Sequence, residues 1–357
     1  MKILITGICG FVGRSVAEQL LAQHEELTLY GLDNFIRPGS ELNRSDLIQA
    51  GVKIFHGDIR NASDLEMLPG VDWVIDAAAN PSVLAGVDGK TSSRQLIEHN
   101  LGGTINMLEY CKRVNAGFIL LSTSRVYSIP GISELKMEVD SGAFRPTADQ
   151  AFPAGISVKG VSEAYSTQAP VSLYGSTKVA SEVLALEYGE TFDLPVWVNR
   201  CGVLAGEGQF GRPDQGIFSY WIHSWKQQRS LKYIGFDGMG HQVRDCLHPE
   251  DLVQMLGLQL KAGRDTSKNP IVNLAGGVDA SMSLRQLSEW CAARFGALDV
   301  STEPQDRPFD IPWMVLDATF AKQQWDWTPT RTIESILEEL AAHAEANAGW
   351  LDISAPY

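Results

Sequence analysis

A chain of 357 residues, 44% hydrophobic and 20% charged, has core enough for one large α/β domain or two closely joined lobes and the balance of an ordinary globular protein. A net charge of −14 argues against a nucleic-acid surface and leaves room only for a local basic pocket. Five scattered cysteines without a C-x-x-C spacing argue against disulfides or a zinc site and fit a reducing cytoplasm. No apolar run is long enough to span a membrane, and Met1 leads directly into the first predicted strand, so no signal peptide is expected.

Residues 2–6 are a short apolar run rich in β-branched side chains and read as a buried parallel strand. Gly7, Gly10 and Gly13 follow at three-residue spacing, and a helical pattern runs from Phe11 to Ala22. Such a turn lets the backbone approach a diphosphate and aims a helix N-terminus at it. A second strand over 27–32 ends in Asp33, about 20 residues beyond the Gly turn. A carboxylate there accepts hydrogen bonds from ribose hydroxyls and repels a 2′-phosphate, which favours NAD over NADP; the alternative is an Asp that caps a turn.

Residues 52–59 predict a third strand ending in an acid, and 73–76 a fourth that runs into Ala77, Ala78 and Ala79. Small side chains at that place serve either close approach of a cofactor or tight packing. A helix is expected from about 95 to 113. A fifth strand over 116–121 ends in Ser122-Thr123-Ser124-Arg125. About 45 Pro-, Gly- and Ser-rich residues then separate Tyr127 from Tyr174 and are expected to form a long functional loop.

Tyr174-Gly-Ser-Thr-Lys178 opens another helix. Positions four apart share a helix face, so the phenol and the ammonium share a neighbourhood in which phenolate is favoured. Beyond it, residues 195–199 predict a sixth strand. Residues 209–228 form a glycine-rich loop followed by an aromatic helix whose stripe (Phe218, Tyr220, Trp221, Trp225) reads as core. Strands follow at 231–234 and 271–274. The expected division is a dinucleotide domain over 1–195 and, over 196–357, mainly a substrate lobe, with the chain crossing between them.

Taken together, Thr6-Gly7-Ile8-Cys9-Gly10-Phe11-Val12-Gly13, Asp33-Asn34, His56-Gly57-Asp58-Ile59-Arg60, Asn100-Leu-Gly-Gly-Thr104, Ser122-Thr123, Tyr174 to Lys178 and Val243-Arg244-Asp245-Cys-Leu-His248-Pro-Glu-Asp251 resemble the extended short-chain dehydrogenase/reductases, the nucleotide-sugar epimerases and dehydratases. The resemblance implies a Rossmann-type doubly wound parallel sheet with a smaller C-terminal substrate-binding lobe, NAD as cofactor, no metal, a CDP- or UDP-hexose as substrate and a cytoplasmic homo-oligomer. Gly7, Gly10 and Gly13, with the Phe11 and Val12 amides, would hold the NAD diphosphate. Asp33 would hold the ribose, with Asn34 beside it among the cofactor-binding residues, and Asp58 and Ile59 would border the adenine. Ala77, Ala78, Ala79 and Asn100 would line the cofactor site. Thr123, Tyr174 and Lys178 would be catalytic, Tyr174 as acid/base and Lys178 holding the nicotinamide ribose and lowering the tyrosine pKa. Asn80, Ser124, Arg125, Gln209, Gln215, Ile234, Arg244 and Arg307 would contact the nucleotide sugar.

Departures narrow the reading. Asp76 stands where many members carry His. Val203 replaces an Asn that contacts the sugar in most 4-epimerases. Ser124-Arg125 replaces the Asp-Glu pair on which 4,6-dehydratases rely for elimination. Gln209-Phe210, Asp214-Gln215-Gly216 and Gln242 to Asp245 most resemble the CDP-paratose/CDP-tyvelose 2-epimerase branch, so C2 epimerisation of a CDP-hexose by transient oxidation is expected. The alternatives are C4 epimerisation of a UDP-sugar and a non-catalytic NAD-binding sensor of the same fold.

Overall fold

Seven strands form one parallel sheet in a computed structural model that describes residues 1–354 apart from 25, 88, 90 and 91. They are β1 (Lys2–Thr6), β2 (Thr28–Asp33), β3 (Lys53–His56), β4 (Trp73–Asp76), β5 (Gly117–Thr123), β6 (Val196–Cys201) and β7 (Ile271–Leu274). Their order across the sheet is β7-β6-β5-β4-β1-β2-β3, so the winding direction reverses between β1 and β4. Open α/β sheets bind ligands at such a switch point, outside the carboxyl ends of the strands.

Both faces of the sheet are covered, which is why its strands read as unbroken apolar runs. Ile3, Ile5, Leu29, Ile75, Ile119, Trp197 and Val272 face one side, packed against the Phe11–Gln23 and Pro249–Ala262 helices. Alternate residues (Leu4, Leu32, Val74, Phe118, Leu120, Val198) face the other, beneath the Gly103–Val114 and Ser172–Phe192 helices. The expected doubly wound fold is therefore present. β5 runs two residues further than the apolar pattern suggests, because Ser122 and Thr123 pair with Arg200 and Cys201 of β6.

A smaller sheet joins Val203–Leu204, Val243–Leu247, Ser281–Ser283 and Trp313–Met314. Helices Ile217–Lys226, Leu284–Phe295 and Ile333–Ala346 enclose its core. The aromatic stripe belongs to that core: Trp221 stacks on Tyr233 and its indole N–H donates to Ser288 Oγ at 3.0 Å. Elements after residue 196 are shared between the two sheets. The Pro249–Ala262 and Thr319–Trp325 helices and β7 return to the larger one.

The stretch between Tyr127 and Tyr174, expected as loop, is folded. It holds a helical turn (Ile129–Ser133) and two hairpins, Met137–Asp140 with Ala143–Pro146 and Ile156–Ser157 with Gly160–Val161. Tyr127, Ile132, Ala143, Ile156 and Val161 pack there with Val243 and Trp313 to Leu316. Their partners come from far along the chain, so no local periodicity announces them. No helix is long and apolar enough to cross a membrane among the described residues.

One buried ion pair ties the Ser172–Phe192 helix to the sheet. Glu182, 3% exposed, accepts from Arg200 Nε at 3.1 Å and from Nη2 at 2.6 Å. Ser122 Oγ donates to the same carboxylate at 2.5 Å, and Arg200 Nη1 donates to the Tyr127 hydroxyl at 3.3 Å. Replacing Glu182 by Ala leaves Arg200 buried and uncompensated. The expected loss is about 3–5 kcal/mol, read from urea unfolding, whereas replacing exposed Glu187 by Ala stays within about 0.5 kcal/mol.

Candidate active site

The Gly turn lies at the carboxyl end of β1. Gly7 has φ +62°, open to a residue without Cβ, and a Cβ there would lie 3.0 Å from the Ala78 Cα. A Cβ on Gly13 would overlap the Gly7 carbonyl and the Ile8 backbone. The turn is thus packed as tightly as glycine allows. Gly10 caps the Phe11–Gln23 helix without any side-chain hydrogen bond, which leaves the Phe11 and Val12 amides free to meet an anion.

Asp33 ends β2 beside this turn and is 8% exposed. Its carboxylate accepts from the Cys9 N–H at 2.9 Å and from the Phe35 N–H at 2.8 Å, so it orders both the Gly turn and the loop after β2. Each oxygen keeps a further lone pair for a hydroxyl. Burial raises its pKa, and the two N–H donors oppose that. Asn34 Nδ2 donates to Asp58 at 2.9 Å, and Arg60 binds the same carboxylate at 2.6 Å. Burial alone would raise the Asp58 pKa, but Arg60 and Asn34 outweigh it and hold the group well below the usual carboxylate range. Ile59 packs against Gly103, and its carbonyl accepts from Asn106 Nδ2 at 2.8 Å, a support the sequence reading missed.

The alanines after β4 are held by a side chain also missed from sequence. Thr6 Oγ1 accepts the N–H of Ala77 and of Ala78, both at 3.1 Å, and donates to Asp76 at 2.6 Å. Ala79 is exposed. Asn100, 3% exposed, spends its amide within the protein: Oδ1 accepts from the Asn80 N–H at 2.8 Å, and Nδ2 donates to the Asn80 carbonyl and to Thr177 Oγ1, each at 3.1 Å. It fastens the loop after β4 to the helix that carries Tyr174.

That helix starts under strain. Ser172 has φ +75°, a left-handed conformation worth about 1–3 kcal/mol for a residue with a side chain, and its hydroxyl accepts the Gly175 N–H at 3.1 Å. Gly175 lies against the Arg125 carbonyl, where a Cβ would collide. Tyr174 is thereby set at the end of β5, where its phenol is pushed up to about 12 by burial and pulled back by a hydrogen bond with Thr123 and by the charge of Arg125. Thr123 Oγ1 also accepts the Arg125 N–H at 3.2 Å. Lys178 lies one turn along the helix and is 3% exposed; burial lowers its pKa, while Asp76 and Glu182 raise it. The cation acting on the phenol in this arrangement is Arg125.

The residues expected at the substrate divide in two. Arg125 and Arg244 converge on the 309–311 stretch: Arg125 Nη1 donates to the Phe309 carbonyl at 3.3 Å, and Arg244 donates to Asp310 and to the Ile311 carbonyl, each at 2.8 Å. Ser124 is buried beneath them. Arg307 donates to the Pro213 carbonyl at 3.2 Å, and the side chain of Gln215 binds Arg37. Gln209, in contrast, turns inward. Its amide is taken up by the Leu204 carbonyl and the Ser219 N–H, and its own carbonyl accepts from Ser219 and Trp350. Ile234 sits on the Leu231–Ile234 strand, paired with Val300–Glu303, and its carbonyl accepts from Gln242 at 2.7 Å. Ser82, which donates to Asp214 at 2.7 Å and so links the loop after β4 to the 212–216 turn, was not foreseen.

Asp33 sets the expected cofactor preference. Calorimetric titration should show NAD bound at least about tenfold more tightly than NADP, because a buried carboxylate would oppose the 2′-phosphate, and Asp33→Ala should narrow that gap. Equal affinities in the unmodified protein would overturn the assignment.

Comparison with known proteins agrees with this geometry. The model of the NAD dependent epimerase/dehydratase family matches residues 3–275. A CDP-paratose 2-epimerase of Salmonella typhi is 30% identical over 349 residues, covering 92% of this chain and 95% of that protein. A UDP-glucuronate 4-epimerase of Thermodesulfobacterium geofontis is 26% identical, covering 96% of each. Among solved structures, a double mutant of the dTDP-glucose 4,6-dehydratase DesIV from Streptomyces venezuelae, with NAD and DAU bound, aligns with a TM-score of 0.79 at 24% identity, over 99% of this chain and 100% of that one. The chain belongs to the NAD-dependent epimerase/dehydratase family, as an enzyme whose cofactor is NAD.

Proposed function

We propose that the chain epimerises a nucleotide-activated hexose by transient oxidation, acting at C2 of a CDP-hexose. The observation that carries the oxidation chemistry is the buried Tyr174 phenol set beside Thr123 and Arg125 at the carboxyl end of β5, with Lys178 buried one turn along the same helix. The 30%-identical CDP-paratose 2-epimerase supports the choice of carbon and base, together with Val203 and Ser124-Arg125 at the two positions where 4-epimerases and dehydratases differ. Ser124-Arg125 supplies no acid/base pair for elimination, which disfavours dehydration.

The Gly turn and the Phe11 and Val12 amides fit a diphosphate, and Asp33 fits a ribose. NAD, when bound, supplies the acceptor for a hydride from the sugar and returns it. Thr123 orients the reacting hydroxyl. Tyr174 takes its proton as the hydride leaves and gives it back to the epimeric hydroxyl. Lys178 holds the nicotinamide ribose, and the charge of Arg125 favours phenolate. Arg125 and Arg244 set positive charge along the 309–311 stretch, suited to the substrate's diphosphate. The 26%-identical UDP-glucuronate 4-epimerase supports a second reading, C4 epimerisation of a UDP-sugar by the same chemistry with the sugar docked differently.

Incubating CDP- and UDP-hexoses with the enzyme in deuterated water and reading products by NMR separates these readings. C2 epimers free of deuterium are expected. Inversion only at C4 would reject the carbon assignment and keep the oxidation. Deuterium at the inverted carbon would reject hydride return. In parallel, Tyr174→Phe should bind NAD normally and lose roughly 10²-fold or more in kcat.

A further inference from the structure

In the sheet β1 lies between β4 and β2, so the Gly turn at its carboxyl end is flanked by the loops that follow those two strands. Each loop sends a side chain to the same place. Ser82, in the loop after β4, donates through Oγ to Asp214 Oδ2 at 2.7 Å, while its oxygen accepts the Leu84 N–H at 3.3 Å. Arg37, in the loop after β2, donates through Nη1 to Gln215 Oε1 and through Nη2 to the Phe210 carbonyl at 3.4 Å. Its guanidinium also lies 5.5 Å from the centre of the Phe210 ring. Asp214 and Gln215 are consecutive residues. A dipeptide bound to both flanking loops passes over the strand end between them, which is where the Gly turn lies.

The root of this segment and its tip are held differently. At the root, the Gln209 carbonyl accepts from Ser219 Oγ at 2.7 Å and from the Trp350 indole N–H at 2.8 Å, Phe210 stacks on Trp350 at 5.2 Å, and Arg212 Nε donates to the Ser354 carbonyl at 2.7 Å. The turn is closed on itself by the Arg212 N–H to the Gln215 carbonyl at 2.7 Å and the Gln215 N–H to the Arg212 carbonyl at 3.1 Å. At the tip, Pro213 and Asp214 are exposed. The tip reaches the loops of the larger sheet through the Ser82 and Arg37 bonds, and Arg307 adds one to the Pro213 carbonyl at 3.2 Å. A turn with a packed root and a tip held by a few side-chain hydrogen bonds opens by breaking those bonds and nothing else.

We propose that the 212–216 turn is a strap over the cofactor site, latched by the Ser82–Asp214 and Arg37–Gln215 hydrogen bonds, and that these latches set how fast NAD is released. The inference rests on the Gly turn being the diphosphate site, and not on the carbon or base assigned above. Under the proposed oxidation the reduced cofactor has to stay until the hydride is returned, and latches between protein side chains retain it without touching it. Gln215 and Asp214 are then positioning residues that act through the strap.

The test needs no sugar. Holoenzyme loaded with radiolabelled NAD is mixed with excess unlabelled NAD, and release is followed by rapid filtration. Ser82→Ala and Gln215→Ala each remove one latch, so each should speed release roughly tenfold, and the double variant should exceed both. Asp214→Ala should match Ser82→Ala, and those two combined should exceed neither, since both act on one bond. The latches join protein to protein, so opening becomes easier for entry as much as for exit, and the calorimetric Kd for NAD should move by less than about twofold. Unchanged release in Ser82→Ala and Gln215→Ala would overturn the proposal. So would faster release matched by an equal rise in Kd, the mark of side chains that bind the cofactor directly. Asp33→Ala checks the site beneath the strap: it should weaken the Kd for NAD, and an unchanged Kd would place the cofactor elsewhere and overturn site and strap together. Which carbon is inverted in the NMR experiment does not enter these release rates, so the two readings fail separately.

Discussion

The Glu182–Arg200 ion pair is the contact on which the site depends. Two ions taken out of water cost several kcal/mol each, and their attraction offsets that only if the remaining donors and acceptors are also met. Here they are met. Ser122 from β5 adds a third donor to the carboxylate, the guanidinium reaches the Tyr127 hydroxyl, and Tyr127 donates to Asn273 Oδ1 at 2.6 Å on β7. Asn273 in turn binds the Val161 carbonyl at 2.9 Å, which carries the network into the folded insertion. Tyr174, Lys178 and Glu182 are spaced four residues apart on one face of one helix, so pinning Glu182 to β6 fixes the rotation of the helix and with it the direction of the phenol and the ammonium.

Charge is distributed unevenly around that helix. At the Gly turn the groups offered to an anion are backbone N–H groups and a helix terminus, with Asp33 and the Arg60-paired Asp58 beside them. The opposite end is arginine-rich, with Arg125 and Arg244 side by side and burial pushing Arg125 down to about 10. The Tyr174 phenol lies between these regions and feels Arg125 directly. Under the proposed function, an anionic substrate is drawn toward one end and a dinucleotide held at the other, although the whole chain is strongly negative.

What could be read from the sequence was whatever depends on near neighbours. The strand, Gly turn and helix occupy thirteen consecutive residues, Asp33 follows at a spacing fixed by one strand-helix-strand unit, and Tyr174 and Lys178 share a helix turn, so each was visible as a pattern. The aromatic stripe at 218–225 was read correctly as core for the same reason. Features that depend on distant partners were not visible. The fold of 127–171 rests on Val243 and on Trp313 to Leu316, more than seventy residues away, so its composition looked like loop. Gln209 lies in a motif that suggested contact with substrate, yet its amide is enclosed by Leu204 and Ser219, a direction that a motif does not encode. Thr6 was quoted as part of the Gly turn, but its role becomes apparent only when β4 lies beside β1 and brings Ala77, Ala78 and Asp76 within reach.

The path of the chain between the two sheets has a mechanical consequence. Strand β6 continues through Gly202 directly into the Val203–Leu204 strand of the smaller sheet. Val243–Leu247 leads through His248 back to a helix on the larger one, and β7 and Trp313–Met314 repeat the exchange in both directions. Two bodies joined by one tether can swing about it, but bodies stitched together at several seams cannot move apart without stretching a strand at each. Closure around a substrate must then come from side chains and loops such as the 212–216 turn rather than from a hinge.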